Sequence, residues 1–261
     1  MPITVHADIR HVSQAEFSPI AYDVMREAFA IHNDLGRFFD EDIYRNALVS
    51  RLGNQAISEV QIDVRFEDFF KDYYIDLLVS AGAVFELKVV AKLGENHRAQ
   101  LLNYLLMCEL SHGKLINFRP TLIEHEFVNT SLKLCDRTAF EVTKKDWVEP
   151  ISDSRPFAAW FEASLQDIGA GLDIGLYESL ATHFFGGEKA VVRAIEINDC
   201  GQQKVHLASP DWAFKVTAIN SDDMPIFEDH LQRFLRQTAL QGFLWLNVTR
   251  KVVAFRALRR S

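Results

Sequence analysis

The sequence predicts an α/β protein made of two tandem copies of one domain, each a mixed central sheet flanked by helices, with the second copy degenerate. Three observations carry this. Residues 21–129 pattern as helix, helix, three strands, helix and short strands, the order of a mixed sheet with helices packed on it. Residues 165–258 lie on residues 21–129 block by block, in the same order and with small drifts in offset. Between the two, Pro150 and Pro156 bracket the turn-rich "ISDSR", which places a boundary there: 1–150 as the first domain and 151–261 as the second.

The elements of the first domain follow from local patterning. "SPIAYDVMREAFAIHNDLG" has Ser18 to cap, Pro19 for a first turn, and Ala21, Val24, Met25, Ala28 and Ile31 on the 3.6-residue period, ending at Gly36. A second helix runs from about Asp40 to Leu52, with acids at its start and Gly53 at its end. "ISEVQIDVRF" alternates strictly, as a strand with one buried face does, while "YYIDLLV" and "AVFELKVV" are more apolar and read as central strands. "ENHRAQLLNYLLMCEL" returns to helical spacing, and "KLINF" and "LIEHEFVN" are short strands.

The repeat is visible in particular residues. "IGAGLDIGLYESLATHFFG" matches "LGRFFDEDIYRNALVSRLG" at an offset of 133, placing Gly169 on Gly36, Asp173 on Asp40 and Tyr177 on Tyr44. "DHLQRFLRQTALQGFLWLNV" matches "AQLLNYLLMCELSHGKLINF" at 130, placing Asn247 on Asn117. "WAFKV" lies on "FELKV" at 127, which sets Lys215 on Lys88 and Ala213 on Glu86, and puts His206 or Leu207 near the Asp76 position. Ile174 stands on Glu41. An alanine cannot ligate a metal, so the second copy is expected to be silent, retained for packing, for substrate contact or as a built-in partner. The short linker implies an intramolecular pseudo-dimer, with the protein a monomer or weak homodimer.

Composition narrows the function. The chain has 261 residues and a formal net charge of -8, and its first 150 residues hold 16 Lys and Arg against 23 Asp and Glu. That balance argues mildly against a protein coated in nucleic acid, whose basic residues cluster. The final "RKVVAFRALRRS" carries Arg250, Lys251, Arg256, Arg259 and Arg260 without an acid, either a solvated tail or a phosphate-contacting edge. No run approaches the ~20 apolar residues of a membrane span, and a cytoplasmic location is the default expectation. Cys108, Cys135 and Cys200 are too scattered for a disulfide framework or zinc site.

In "FELKVVAKLGENHRAQLLNYL" Glu86 and Lys88 share one strand face, opposite Phe85, Leu87 and Val89. If "SAGA" closes a hairpin, with Gly82 easing the turn, Asp76 on the preceding strand comes close to Glu86. Two carboxylates at that separation repel unless a cation joins them, and oxygen donors with retained waters suit Mg²⁺, with Mn²⁺ an alternative. Lys88 beside such an ion would orient a water and offset charge on a phosphate. A plain salt-bridge network of the same three residues fits the spacing as well. Farther along, His97, Gln100 and Tyr104 share a helix face, with a helix-start role for His97 equally consistent.

An Asp, then Glu-x-Lys on adjacent strands, then a helix with Gln resembles the PD-(D/E)XK nuclease superfamily, and its GxxExxxR family in wording. The stretches that carry the likeness are "AFAIHNDLG", "EDIYRNAL", "YYIDLLV", "FELKVVAKL", "HRAQLLNYL" and "LINF". Glu41 and Arg45 stand at the E and R positions of the naming motif, while Phe38 replaces its Gly. The resemblance implies a restriction-endonuclease-like fold and a metal-dependent nuclease acting on nucleic acid, with DNA favoured. It makes Asp76, Glu86 and Lys88 the catalytic core, Glu41 an auxiliary acid near the metal, Gln100 a helix-borne group at the site and Arg45 and His97 supporting residues. Glu41 and Arg45 also fit an ordinary i,i+4 surface pair. Two further classes stay open: a catalytically silent binding or assembly protein, and a metal enzyme acting on a small phosphorylated substrate.

Overall fold

The computed structural model describes residues 2–149 and 156–260, so the expected linker at 150–155 lies outside the described residues. The chain is an α/β protein that divides into two compact units, 1–134 and 135–261. The division falls before the expected boundary at 150, because residues 141–145 pair into the sheet of the second unit.

The first unit runs β1 (Ile3–Val5), α1 (Gln14–Leu35), α2 (Glu41–Leu52), β2 (Ala56–Phe66), β3 (Phe69–Val79), β4 (Ala83–Lys88), α3 (Glu95–Met107), β5 (His112–Asn117) and β6 (Glu124–Asn129). Its six strands lie in chain order, antiparallel except for the parallel pair β4 and β5, whose crossover is α3. Helix α1 starts earlier than the expected Ser18: Ser13 is the N-cap, its Oγ accepting from Glu16 N while Ser13 N donates to Glu16 Oε2 at 2.8 Å. Pro19 is therefore inside the helix. Phe17, Ala21, Val24, Ala28 and Ile31 on α1, with Tyr44 and Leu48 on α2, pack on Leu77, Phe85, Leu87, Ile116 and Phe118. That leaves the even-numbered residues of β4 for the opposite face.

The β3–β4 hairpin forms as expected, with a different division of labour in its turn. Ser80 and Ala81 take the positive φ angles, 50° and 58°. Gly82 is needed for space: a Cβ there would lie 2.5 Å from the Arg10 carbonyl oxygen and 2.7 Å from Val12 Cγ1.

The second unit contains α4 (Leu134–Thr138) at its start, β7 (Glu141–Lys145), α5 (Phe157–Ile168), α6 (Ile174–Phe184), α7 (Glu188–Val191), β8 (Val192–Ile197), β9 (Gly201–Ser209), β10 (Trp212–Thr217), α8 (Met224–Arg236), β11 (Gly242–Val248) and β12 (Val252–Arg259). Strands β8 to β12 lie in chain order with the pairing senses of β2 to β6, the β10–β11 pair being parallel. The added edge differs: β1 joins β2 in one sheet, β7 joins β12 in the other. The basic C-terminal stretch is strand β12, and Arg256 is tied to Glu228 on α8 at 2.5 Å. No helix among the described residues is long and apolar enough to cross a membrane.

The cysteines are free thiols in different settings. Cys108 is buried, and loss of solvation pushes its thiol up to about 12, whereas Cys135 and Cys200 are exposed. Alkylation of the native chain near neutral pH is expected to add two groups by intact mass, the third appearing under denaturant. A rapid native third adduct would contradict the packing of Cys108.

Candidate active site of the first unit

The site is assembled at the C-terminal end of β4, where the even face of that strand meets β3 and the start of α2. Glu86 is completely buried, and Lys88 Nζ donates to its Oε1 at 2.7 Å. The same ammonium lies 3.8 Å from Asp76 Oδ2 and 3.9 Å from Glu41 Oε2. Asp76 is held from two sides: its Oδ2 accepts from Leu87 N at 2.8 Å, and Arg45 Nη1 approaches its Oδ1 at 4.0 Å. Arg45 also bonds Asp42 at 2.5 Å and faces Glu59 at 3.4 Å, with only 10% of its side chain exposed. Three carboxylates and two cations thus converge from two strands and one helix.

Local backbone contributes to the arrangement. The β2–β3 ladder pairs Ser58 with Leu77 and Val60 with Ile75, stepping past Glu59, which has a φ of 52°. A positive φ at a non-glycine residue costs of order 1–3 kcal/mol, and here it lies beside Asp76.

Electrostatics separates the acids. Burial first, and then the neighbouring Asp76 charge, push the Glu86 carboxyl up to about 8 against the pull of Lys88. Burial also raises Glu41, with Lys88 opposing. Burial acts to lower the Lys88 ammonium, but Glu86, Asp76 and Glu41 together outweigh it and keep the lysine above its ordinary value. The second oxygen of Glu86, Oε2, is buried without a hydrogen-bond partner. Once ionised, a carboxylate left half-satisfied in this way has an oxygen free to ligate a cation, and oxygen ligands of this kind suit a hard divalent ion. Among the described residues no three His, Cys, Asp or Glu side chains are gathered as a metal cluster. The cation found between these carboxylates is the Lys88 ammonium itself.

His97 and Gln100 have partners on their own helix. His97 Nδ1 accepts from Gly94 N at 2.9 Å, so it caps the start of α3. Gln100 is exposed and donates to Tyr104 Oη at 3.1 Å. Glu41 and Arg45 do not pair with each other as an i,i+4 couple; they face Lys88 and Asp76 respectively. Sequence reasoning missed Glu59, an acid in an alternating strand with no local signal beyond its charge.

The register of the second unit corrects the expected equivalences. Asn117 on β5 pairs with Lys88, and its amide bonds both N and O of Val90, at 3.0 and 2.8 Å. Asn247 on β11 pairs with Thr217 and bonds both N and O of Ile219, at 2.8 and 2.9 Å. The strand offset is therefore 129 rather than 127. Lys215 stands at the Glu86 position, Thr217 at the Lys88 position, and Val205 follows His206 in the register as the counterpart of Asp76. Lys215 and His206 each lie 3.7 Å from Glu178, the residue that the 133-residue offset sets on Arg45. The acids of the first unit are absent from these positions, and the charges are reversed.

Among curated proteins none matches this chain. The solved structure of the protein SSO0001 is similar at 21% identity over 44% of this chain and 64% of that one, with a TM-score of 0.30. This chain thus spans less than two thirds of that protein. Residues 18–129, the stretch that holds Glu41, Arg45, Asp76, Glu86 and Lys88, match the family model described as the PD-(D/E)XK nuclease superfamily.

Proposed function

We propose that the first unit is a divalent-metal-dependent nuclease centre that hydrolyses phosphodiester bonds, in DNA by preference, with Asp76, Glu86 and Lys88 as its working groups. The observation that carries this reading is the fully buried Glu86, with one oxygen unpartnered, beside Asp76 and Lys88 in a stretch matching a nuclease superfamily. Asp76 and Glu86 would hold the metal, Mg²⁺ or Mn²⁺, with Glu41 as an auxiliary ligand; when bound, the ion polarises a phosphoryl oxygen and acidifies a water. Lys88 offsets negative charge developing on the phosphate and orients the attacking water. Leu87 N and Arg45 fix the Asp76 carboxylate, so it need not reorganise. Glu41 and Arg45, three and seven residues after Phe38, support the GxxExxxR reading despite the missing glycine. Gln100 remains a candidate substrate contact on α3, and His97 a support for that helix.

The second unit we propose to be a silent duplicate. Support comes from the shared pairing senses, the Asn117 and Asn247 clamps, and a tyrosine device found in both units. Tyr44 Oη donates to Gly36 O at 2.8 Å and accepts from Phe39 N; Tyr177 Oη donates to Gly169 O at 2.8 Å and accepts from Leu172 N. An ion pair is also retained with its signs exchanged: Arg98 on α3 meets Glu126 on β6, and Glu228 on α8 meets Arg256 on β12. Unrelated domains have no reason to place a bridge at corresponding positions with reversed polarity.

The test is incubation of the purified chain with plasmid, linear and single-stranded DNA and with RNA, in Mg²⁺, Mn²⁺ or EDTA. Metal-dependent cleavage, abolished by EDTA, is expected on at least one substrate. Binding without cleavage under every metal would favour a silent nucleic-acid-binding protein, a reading that the Lys88 ammonium between the carboxylates supports.

A further inference from the structure

On the opposite face of the same sheet, β5 carries a lysine among apolar cross-strand neighbours. Lys114 lies between Phe85 on β4 and Phe127 on β6 in the register, and it is only 4% exposed. Among the described residues no carboxylate pairs with it; its Nζ sits 3.9 Å from the centre of the Phe127 ring. A desolvated cation–π contact supplies about 2 kcal/mol or more, and the partly desolvated ammonium, held below its ordinary value by burial, has no anion beside it among the described residues. The second unit demonstrates that the architecture does not require this residue. Leu244 takes the corresponding register position on β11, fully buried between Phe214 and Ala257.

Lys114 opens onto a cavity of about 290 Å³ between α1 and the β5–β6 pair. Its walls are Ala21, Met25 and Phe127 on the apolar side, with Ser18, Tyr22 and His125 supplying polar atoms. We propose that this cavity is a binding site for a small organic anion, a ring-sized apolar group bearing a carboxylate or phosphate, with Lys114 as its charge partner. The anion would pair with the ammonium where it faces the cavity, and the apolar body would cover Met25 and Phe127. Burial and the neighbouring Lys114 hold the His125 imidazole below its ordinary value, so a neutral ring is available to donate one hydrogen bond to the same anion. Lys114 points to the α1 face and Glu86 to the other, so the site is separate from the candidate nuclease centre and independent of that reading.

Calorimetric titration of the full chain in EDTA with benzoate, phenyl phosphate and inorganic phosphate tests this. At least one ring-bearing anion is expected to bind with Kd below about 1 mM, and inorganic phosphate at least about tenfold more weakly. Lys114→Met keeps the stem that packs on Phe127 and should weaken binding by about tenfold or more, while Lys88→Ala should leave it unchanged. Ser18→Trp, at an exposed position on the rim, should block the cavity without touching the core, which keeps the test decisive if Lys114→Met folds poorly. The proposal is overturned if neither ring-bearing anion binds, if inorganic phosphate binds as tightly, or if neither variant weakens the complex.

Discussion

Glu86→Ala and Lys88→Ala are each expected to lower metal-dependent cleavage by about 10²-fold or more, the scale set by loss of a main electrostatic contributor to a transition state. The two losses should have different origins. Glu86→Ala removes a metal ligand, so affinity for the ion and turnover should fall together. Lys88→Ala removes a cation that lies 2.7 to 3.9 Å from three carboxylates, so the ion should bind at least as tightly while turnover collapses. Metal titration of both variants alongside single-turnover rates separates these cases. Lys215→Ala should leave the rate unchanged, because that lysine is committed to Glu178 and has no carboxylate at the positions of Asp76 or Glu86. Full Mg²⁺-dependent activity in Glu86→Ala would remove the site from consideration.

Much of the first unit was legible because its signals are local. Alternation in residues 57–66 and the apolar runs around Asp76 and Glu86 specify strands, and Gly36 and Gly53 close the helices. The shared face of Glu86 and Lys88 follows from strand geometry alone. The two edge strands β1 and β7 were not legible, since three and five residues leave no periodicity to read and depend on a partner for their hydrogen bonds. The equivalences in the second unit failed for a different reason. A slip of two residues keeps every side chain on its own face, so hydrophobic alternation cannot detect it, and the shared "KV" rewarded the wrong alignment. Cross-strand register and the amide clamps of Asn117 and Asn247 decide it. Lys114 was invisible for the converse reason: one lysine in a short strand reads as a solvated residue until its neighbours Phe85 and Phe127 are known.

Glu86→Gln is expected to abolish metal-dependent cleavage and, in the absence of metal, to stabilise the protein, and the sign of its pH dependence follows from the carboxyl. The group titrates near 8 in the folded chain against an ordinary 4.5. Between those values the folded state keeps a proton that the unfolded state has released, so its contribution is intact below about 4.5 and is lost as pH rises through 8. One such group gives a slope of at most about 1.4 kcal/mol per pH unit. Gln retains the shape and the hydrogen-bonding capacity without the charge, and Lys88 keeps Asp76 and Glu41 as partners. Thermal melts in EDTA should therefore show the variant above the wild type, by an increment that grows from pH 5 to pH 8, each kcal/mol appearing as about 2–4 °C. Some slope should remain, because burial also raises Glu41. Added Mg²⁺ should reverse the ranking: the wild type gains RT ln(1 + [L]/Kd) from a ligand that binds only the folded state, and the variant gains little. If Glu86→Gln is instead less stable at every pH, with its melts insensitive to EDTA and Mg²⁺ alike, then Glu86 serves a structural bridge with Lys88, and the buried carboxylate is not held in reserve for a metal.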